Sequence, residues 1–303
     1  MEDLERGDQD STSAGVRRAL LELLAESEVQ QRAGVRTWSG RDVTMREKSI
    51  GFVGGGRITR IILDGLRRAG EQLNDIIVSD TSADAVSRLA SAYPEIETVH
   101  NDNRQAAGRD IVVLAVHPPV LGDVLSEIAP SLQTSTIVLS LAPKFTIPRL
   151  ISRLGGFDRI ARMIPNAASI VNAGYNPIAF SQALTDRDKS DILDVVSHLG
   201  QCPVVCDEDL EAYAVVTAMG PTYFWFQWAE LLRVAMHCGL SEKDAKTGIA
   251  SMIIGAVRTM FESGMTEEEV FDLVPVKPFK DEEDMIRSIY KSKLESLYEK
   301  LRS

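Results

Sequence analysis

Short apolar runs alternate with segments of helical periodicity between residues 48 and 178. Four of these runs, SIGFV, DIIVS, DIVVLAV and STIVLSLA, are brief and rich in β-branched residues. Such runs are typical of strands that are buried on both faces. Strands that alternate with helices predict a parallel sheet with helices on both sides. We therefore expect an α/β fold, a Rossmann-type doubly wound parallel sheet, in residues 47–178.

The pattern changes after residue 178, where long amphipathic segments dominate. Helices are predicted at 183–199, 208–238, 241–263, 266–272 and 281–302, and CPVVC at 202–206 reads as a strand. Residues 179–303 are therefore expected to form an all-α domain. Five aromatic residues between 223 and 228 lie on one predicted helix. We interpret them as core and dimer interface rather than as a ligand site.

The first 46 residues differ from the rest and are predicted to be an N-terminal extension. MEDLERGDQDSTSAG is polar, which predicts disorder, and VRRALLELLAESEVQQRAG then reads as an amphipathic helix. Met45 is a position where the compact domain could begin by itself. The extension is either a docking helix or partner motif, or the product of an upstream start codon.

Composition and charge exclude several classes of protein. The 303 residues are 44% hydrophobic and 25% charged, as expected for a soluble globular chain. A net charge of −11 and no basic cluster argue against nucleic-acid binding. The apolar runs are too short to span a membrane, and the acidic N-terminus is unlike a signal peptide. Three cysteines suit a reducing cytoplasm, and no metal site is expected.

The stretch IGFVGGGRIT at residues 50–59 places three glycines between a predicted strand and a predicted helix. Gly54 is suited to the tight turn after the strand, and Gly56 allows the backbone to approach a pyrophosphate. The N–H groups at the start of the helix would then face the anion. Thr59 stands where the dinucleotide fingerprint usually has Gly or Ala, so we expect slightly wider packing between helix and strand.

Asp80 ends the second predicted strand, where a carboxylate can accept hydrogen bonds from ribose hydroxyls and repel a 2′-phosphate. NAD is therefore the expected cofactor, with NADP as the alternative, because Arg57 could reach a phosphate. A different interpretation is that Asp80 caps the following helix.

Five motifs in order carry a resemblance to a known family: IGFVGGGRI, VVLAVHPPVLGDVL, STIVLSLAPKFTIPRL, RIARMIPNAASIVNAGY and GPTYFWFQWAELLRVAMHCGLSEKDA. Over residues 48–275 the chain resembles pyrroline-5-carboxylate reductase. The resemblance implies a Rossmann domain and a helical dimerisation domain, with the active site between the nicotinamide and helices of both subunits of a homodimer; a larger assembly of dimers is left open. It also implies a small-molecule substrate, a cyclic imine that is reduced to proline by hydride from a nicotinamide.

The resemblance also assigns cofactor-binding residues. They are Gly54, Gly55, Gly56, Arg57, Ile58, Asp80, Thr81, Ala115, Val116, His117, Pro118, Leu141, Ala142 and Asn166. His117 replaces a lysine that is common in the family. In the loop 140–144, Pro143 and Lys144 replace a small Ala-Gly pair, so that side of the pocket should be narrower or charged.

The candidate catalytic residues are Asn166, Thr217 and Thr222. Asn166 belongs to the family's Met-Pro-Asn motif, with Ile164 in place of methionine. Where the family reads Ser-Gly-Ser-Gly-Pro-Ala-Tyr, this chain has TAMGPTY, in which Thr217 keeps the first hydroxyl and Thr222 adds another. A hydroxyl beside the reacting nitrogen could donate a proton. Alternatively, each threonine donates to the carbonyl of the preceding turn.

The family's Ser-Pro-Gly-Gly-Thr-Thr segment, which clamps the substrate carboxylate, is replaced by VPVKPFKDEEDM from Val274. No glycine pair remains to bring backbone donors close to an anion, although Lys277 and Lys280 could supply charge. Three functions compete: a reductase of pyrroline-5-carboxylate or a relative, an oxidoreductase on a different small imine or carbonyl compound, and a non-catalytic NAD(P)-binding protein.

Overall fold

The computed structural model describes residues 48–302, so the predicted extension at 1–46 lies outside the described residues. The strands are β1 (Ile50–Val53), β2 (Ile76–Asp80), β3 (Glu97–His100), β4 (Ile111–Leu114), β5 (Ile137–Ser140), β6 (Ile160–Met163), β7 (Gly174–Tyr175), β8 (Ile178–Phe180) and β9 (Gly200–Gln201). Seven of them form one sheet in the order β3-β2-β1-β4-β5-β6-β8. Strands β1 to β6 are parallel and β8 runs antiparallel to β6. The order 3-2-1-4-5-6 is that of the Rossmann fold, which confirms the predicted doubly wound sheet.

The helices are α1 (Arg57–Arg68), α2 (Ala83–Ala92), α3 (Asn103–Ala107), α4 (Pro118–Ile128), α5 (Ile147–Arg153), α6 (Asp186–Val196), α7 (Leu210–Tyr213), α8 (Gly220–His237), α9 (Glu242–Glu262), α10 (Glu267–Asp272) and α11 (Glu283–Arg302). Short 3-10 turns occur at Ala129–Ser131, Ala167–Val171, Ser197–Leu199 and Asp207–Asp209, and a π-helix at Ala214–Ala218. No helix formed by residues 48–302 combines the length and the apolar character that crossing a membrane requires.

Both faces of the sheet are buried, which explains why its strands read as continuous apolar runs. In β1, Ile50 and Phe52 point into one core cluster and Val53 into the other. The first cluster lies beneath α1, α2 and α6, and the second beneath α3, α4 and α5. Side chains that alternate between faces at every residue therefore hold helices on both sides.

The sheet and its covering helices continue past residue 178. Strand β8 extends the sheet, and Ile192 and Val196 of α6 join the same cluster as Phe52. The predicted domain boundary after residue 178 stays a prediction. The strand predicted at 202–206 is reduced to one bridge between Ile178 and Val204. Pro203 has no N–H to donate, which limits the ladder at this point.

The last third of the described chain is helical, as predicted, and builds little core. Within residues 220–302 only Gly220, Ala245 and Leu301 are buried. Large apolar side chains are open to solvent instead, among them Phe226 at 68% and Phe261 at 78% exposure. These helices therefore present a large apolar surface.

Candidate active site

The predicted cofactor-binding residues follow the carboxyl ends of β1, β2, β4 and β5 and of the neighbouring β6. Because these strands are parallel and adjacent, their carboxyl ends meet along one edge of the sheet. Strand order reverses between β1 and β4, and ligands of open α/β sheets bind at such a reversal. The structure therefore brings the predicted residues to the edge where a dinucleotide would bind.

Gly54 makes the turn after β1 in a conformation that suits only glycine. Its φ is +106°, and an added Cβ would lie 2.6 Å from the main-chain oxygen of Ala115. The hydroxyl of Thr59 donates to the main-chain oxygen of Gly54 at 2.5 Å. Thr59 is completely buried, so the hydroxyl stabilises the turn in addition to filling space between helix and strand. This contact explains why the loop tolerates threonine at that position.

Asp80 connects the glycine loop to the end of β2. Its Oδ2 accepts from the N–H of Gly55 at 2.7 Å, and its Oδ1 accepts from the N–H of Ser82 at 2.7 Å. The interpretation of Asp80 as a helix cap is wrong, because Ser82 caps α2 by accepting from the N–H of Ala85. Thr81 is exposed beside Asp80, and its main-chain oxygen lies 3.1 Å from Nε2 of His100.

Gly56 leaves the N-terminus of α1 open. No side chain caps this helix, and an added Cβ on Gly56 would find no heavy atom within 4 Å. Free N–H groups at the start of a helix favour an anion. Arg57 is exposed and Ile58 half-buried in the same turn. Open space beside uncapped N–H groups fits a pyrophosphate, so these residues can hold NAD or NADP.

The segments after β4 and β5 form the other half of this edge. Ala115 and Val116 are half-buried, and exposed His117 precedes Pro118 at the start of α4. Leu141 and Ala142, at 7% and 3% exposure, belong mainly to the core. These two residues would therefore contribute apolar packing to a cofactor site rather than polar contacts. The part of this site that faces the nicotinamide end stays a prediction.

Asn166 joins two elements of the site. Its side-chain nitrogen donates to the main-chain oxygen of Thr217 at 2.6 Å, and its Oδ1 accepts from the N–H of Ala168 at 2.8 Å. Its own N–H donates to Oδ1 of buried Asn176 at 2.8 Å. Asn166 is only 7% exposed. The structure thus brings Asn166 and the main chain of Thr217 together, and their catalytic roles stay predictions.

The two threonines donate their protons to the main chain. Thr217 donates to the oxygen of Tyr213 at 2.8 Å, and Thr222 to the oxygen of Met219 at 2.6 Å. This arrangement is the alternative in which each hydroxyl bonds to the preceding turn. The hydroxyl oxygens keep lone pairs that can accept a hydrogen bond.

Sequence reasoning missed a buried charge cluster behind the site. Arg162 on β6 is 1% exposed and pairs with Asp207 and, at 2.6 Å, with Oε1 of Glu211. Glu211 also accepts from the N–H of Lys144 at 3.0 Å, and Asp207 from the N–H of Ile147 at 2.8 Å. The cluster therefore fixes the loop after β5 against α7. Its only sequence signal is the acidic stretch DEDLE at 207–211.

The segment that replaces the family's carboxylate clamp lies between α10 and α11. Val276 and Phe279 are exposed at 74% and 73%. Together with both helices the segment lines a groove of about 840 Å³, with Lys277, Lys280 and Arg287 among its residues. The guanidinium of Arg287 is already engaged with Glu283 and lies over the ring of Phe271.

Known proteins match this chain over both parts of the fold. A protein-family model described as NADP oxidoreductase, coenzyme F420-dependent, matches residues 49–144. Pyrroline-5-carboxylate reductase of Escherichia coli K12 is 29% identical over 229 residues, which cover 75% of this chain and 85% of the relative. The enzyme of the same name from Mycobacterium leprae is 28% identical over 232 residues, covering 75% and 78%.

Solved structures give the same result. Pyrroline-5-carboxylate reductase of Coxiella burnetii superposes with a TM-score of 0.61 at 28% identity, covering 84% of this chain and 94% of that one. Plasmodium falciparum pyrroline carboxylate reductase, solved with NADP bound, has a TM-score of 0.69 at 21% identity and supports the fold, covering 85% and 98%. The motif resemblance is thereby confirmed: the chain is similar to pyrroline-5-carboxylate reductases over about three quarters of its length.

Proposed function

We propose that the protein is an NAD(P)H-dependent reductase of a cyclic imine, pyrroline-5-carboxylate or a close relative, and that its product is proline or an analogue. The observation that carries this proposal is the open glycine turn at Gly54 and Gly56, in a chain whose relatives carry that activity in their names. Fold alone would not suffice, since Rossmann folds serve many reactions.

Residues of this chain would mainly bind and orient. Gly56, Arg57 and Ile58 would hold the pyrophosphate, and Asp80 the adenosine ribose. When bound, the reduced nicotinamide supplies a hydride. A protonated cyclic iminium is already electrophilic, so alignment and exclusion of water are the main requirements. Asn166 would position the segment that contains Thr217.

We assign Thr217 and Thr222 as hydrogen-bond acceptors for the substrate or for a water molecule. Both hydroxyl protons are donated to main-chain oxygens, which leaves only the oxygen lone pairs for a ligand. An iminium N–H is a donor and would pair with such an oxygen. Water can then supply the proton that an unprotonated imine requires.

We infer that NADH is preferred over NADPH. The carboxylate of Asp80 is held beside the glycine loop by two N–H groups. This supports a role in which its negative charge would repel a 2′-phosphate. Arg57 would instead favour NADPH, because this exposed cation has no ion-pair partner among residues 48–302 and could reach a phosphate.

A second candidate is reduction of a different small imine or carbonyl compound. The replaced clamp segment favours it, since Val276 and Phe279 stand near the place where the family has its glycine pair. A panel of cyclic imines and ketones separates the two. Turnover of pyrroline-5-carboxylate with NADH supports the first candidate, and turnover of other compounds alone supports the second.

We propose that the protein is a homodimer in the cytoplasm. The apolar surface of α8 supports the dimer, because Trp225 and Phe226 are 50% and 68% exposed, and exposed patches of this kind mark association sites. Three free cysteines support the reducing compartment. Analytical ultracentrifugation should give a dimer for the wild type and a monomer for Phe226→Glu. A wild type that sediments as a monomer at micromolar concentration would contradict the dimer.

A further inference from the structure

Lys144 adopts a conformation that a lysine rarely adopts. Its φ is +73°, in the left-handed region where a Cβ is unfavourable. The resemblance places glycine here in the family, and glycine would be free of this strain. Strained residues that persist in a fold cluster at functional sites. Another interaction of Lys144 is therefore expected to offset this backbone strain.

The main chain of Lys144 is anchored on both sides. Its N–H donates to Oε1 of Glu211 at 3.0 Å, and its oxygen accepts from Nη1 of Arg149 at 3.3 Å. Glu211 is 4% exposed and is itself held by Arg162. The main chain of Lys144 is therefore held on one side by buried Glu211 and on the other by exposed Arg149.

The charge of Lys144 is available to a ligand. Its side chain is half-buried, and its ammonium makes no ion pair or hydrogen bond with another residue in the described range 48–302. The nearby carboxylates Asp207 and Glu211 are engaged with Arg162. A cation without a partner in the chain can bind an anion from outside the chain.

The main chain of Lys144 is also linked to the helical segment that carries Thr217. It follows β5 at the carboxyl edge of the sheet, and Glu211, which it contacts, precedes Thr217 on the same short helical segment. Asn166 contacts that segment at Thr217. Lys144 and Asn166 thus bind opposite ends of residues 211–217.

We propose that Lys144 binds the carboxylate of the substrate and replaces the lost glycine clamp. This inference rests on the proposed function and extends it: the substrate class is a cyclic imine that carries a carboxylate. Lys277 and Lys280, which lie in the replaced segment, are not needed for that contact.

The test compares pyrroline-5-carboxylate with 1-pyrroline, the same ring without a carboxylate. Lys144→Met should raise KM for pyrroline-5-carboxylate roughly 10- to 100-fold, the loss expected for a hydrogen bond to a charged group, and leave KM for 1-pyrroline unchanged. Lys144→Arg should keep most of the affinity. Lys144→Gly should raise KM as the methionine variant does, yet melt at the same or a higher temperature, because the backbone strain is removed. Lys280→Met is the matched control and should have no effect.

Two results would overturn the proposal: an equal rise of KM for both substrates in Lys144→Met, or a selective rise in Lys280→Met instead. A structural role alone would lower the melting temperature of the methionine and arginine variants together. Calorimetric titration of L-proline and pyrrolidine into the NAD⁺-loaded protein tests the same contact without turnover. Proline should bind the wild type roughly 10- to 100-fold more tightly than Lys144→Met. Equal proline affinity, or no proline binding by the wild type, would contradict Lys144 as the anion site whether or not the enzyme turns over.

Discussion

The side-chain nitrogen of Asn166 donates to the main-chain oxygen of Thr217 at 2.6 Å. Thr217 lies in the π-helix Ala214–Ala218, a distortion that occurs frequently at functional sites. Another oxygen of this π-helix, that of Val215, accepts from the hydroxyl of Tyr223 at 2.6 Å. Side chains thus hold the distorted segment against the loop that follows β6 and against α8. Asn166 therefore positions the hydroxyl of Thr217 indirectly, by holding the main chain of Thr217.

Asn166→Ala should weaken both folding and catalysis. It removes the side-chain partner of the half-buried main-chain oxygen of Thr217 and of the N–H of Ala168, so the free energy of unfolding should fall by about 2 kcal/mol. Loss of alignment should lower kcat/KM by roughly tenfold or more. Thr217→Val keeps the main-chain oxygen, and its free energy of unfolding should change by less than about 1 kcal/mol. Urea unfolding of Asn166→Ala with an unchanged midpoint would show that this contact is not structural.

Two glycines of the same loop should respond in opposite ways. Gly54→Ala should destabilise the fold by several kcal/mol, because φ is +106° and the new Cβ would lie 2.6 Å from the oxygen of Ala115. Gly56→Ala finds open space, so thermal unfolding should shift by only a few degrees. It should nevertheless weaken NADH binding at least roughly tenfold, since its methyl group blocks the approach of the pyrophosphate. Calorimetric binding of NADH to Gly56→Ala with wild-type affinity would exclude this loop as the phosphate site.

Asp80→Ala should change the choice of coenzyme. The variant loses the negative charge that repels a 2′-phosphate, so the ratio of kcat/KM for NADPH to that for NADH should rise roughly tenfold or more. Asp84, in the first turn of α2, is a matched exposed carboxylate, and Asp84→Ala should leave the ratio unchanged. An unchanged ratio of kcat/KM for NADPH to that for NADH in Asp80→Ala would contradict the proposal that Asp80 binds the ribose.

Arg162→Met should be among the most destabilising substitutions outside the glycine loop. It leaves buried Glu211 and half-buried Asp207 without a cation, which costs about 3 to 5 kcal/mol. Arg159→Met is the comparison, because its ion pair with Asp188 at 2.7 Å is partly open to solvent. Burial alone would raise the pKa of Asp188, but hydrogen bonds from Thr185 and Arg159 outweigh burial and lower that pKa. If urea unfolding shows that Arg162→Met and Arg159→Met lose the same free energy of unfolding, the greater burial of Arg162 does not make its loss more costly.

The sequence predicted those parts of the fold that depend on local pattern. Apolar runs gave β1, β2, β4 and β5, and the glycine spacing predicted the turn at Gly54. Strand β3 was missed because its residues, ETVH at 97–100, are largely polar and partly exposed to solvent. The edge strand β8 was missed because it has only three residues.

Long-range contacts account for what sequence reasoning missed in the site. The cluster of Arg162, Asp207 and Glu211 joins residues more than forty positions apart, and no local pattern indicates which charges will pair. The π-helix that contains Thr217 is not indicated by periodicity, although donation from its hydroxyl to the preceding turn was one of the two alternatives drawn from the sequence. The left-handed conformation of Lys144 could not be predicted from the sequence either, since lysine itself does not favour it.

The most direct test of the central claim is to incubate the protein with pyrroline-5-carboxylate and NADH that carries deuterium at C4 of the nicotinamide, and to analyse the product by mass spectrometry. Using each C4 epimer in turn, we expect one of them to yield proline with a single deuterium at the carbon that formed the C=N bond, and Gly56→Ala to yield far less. Absence of labelled proline with both epimers, while the protein binds NADH, would contradict the proposed reduction of this imine.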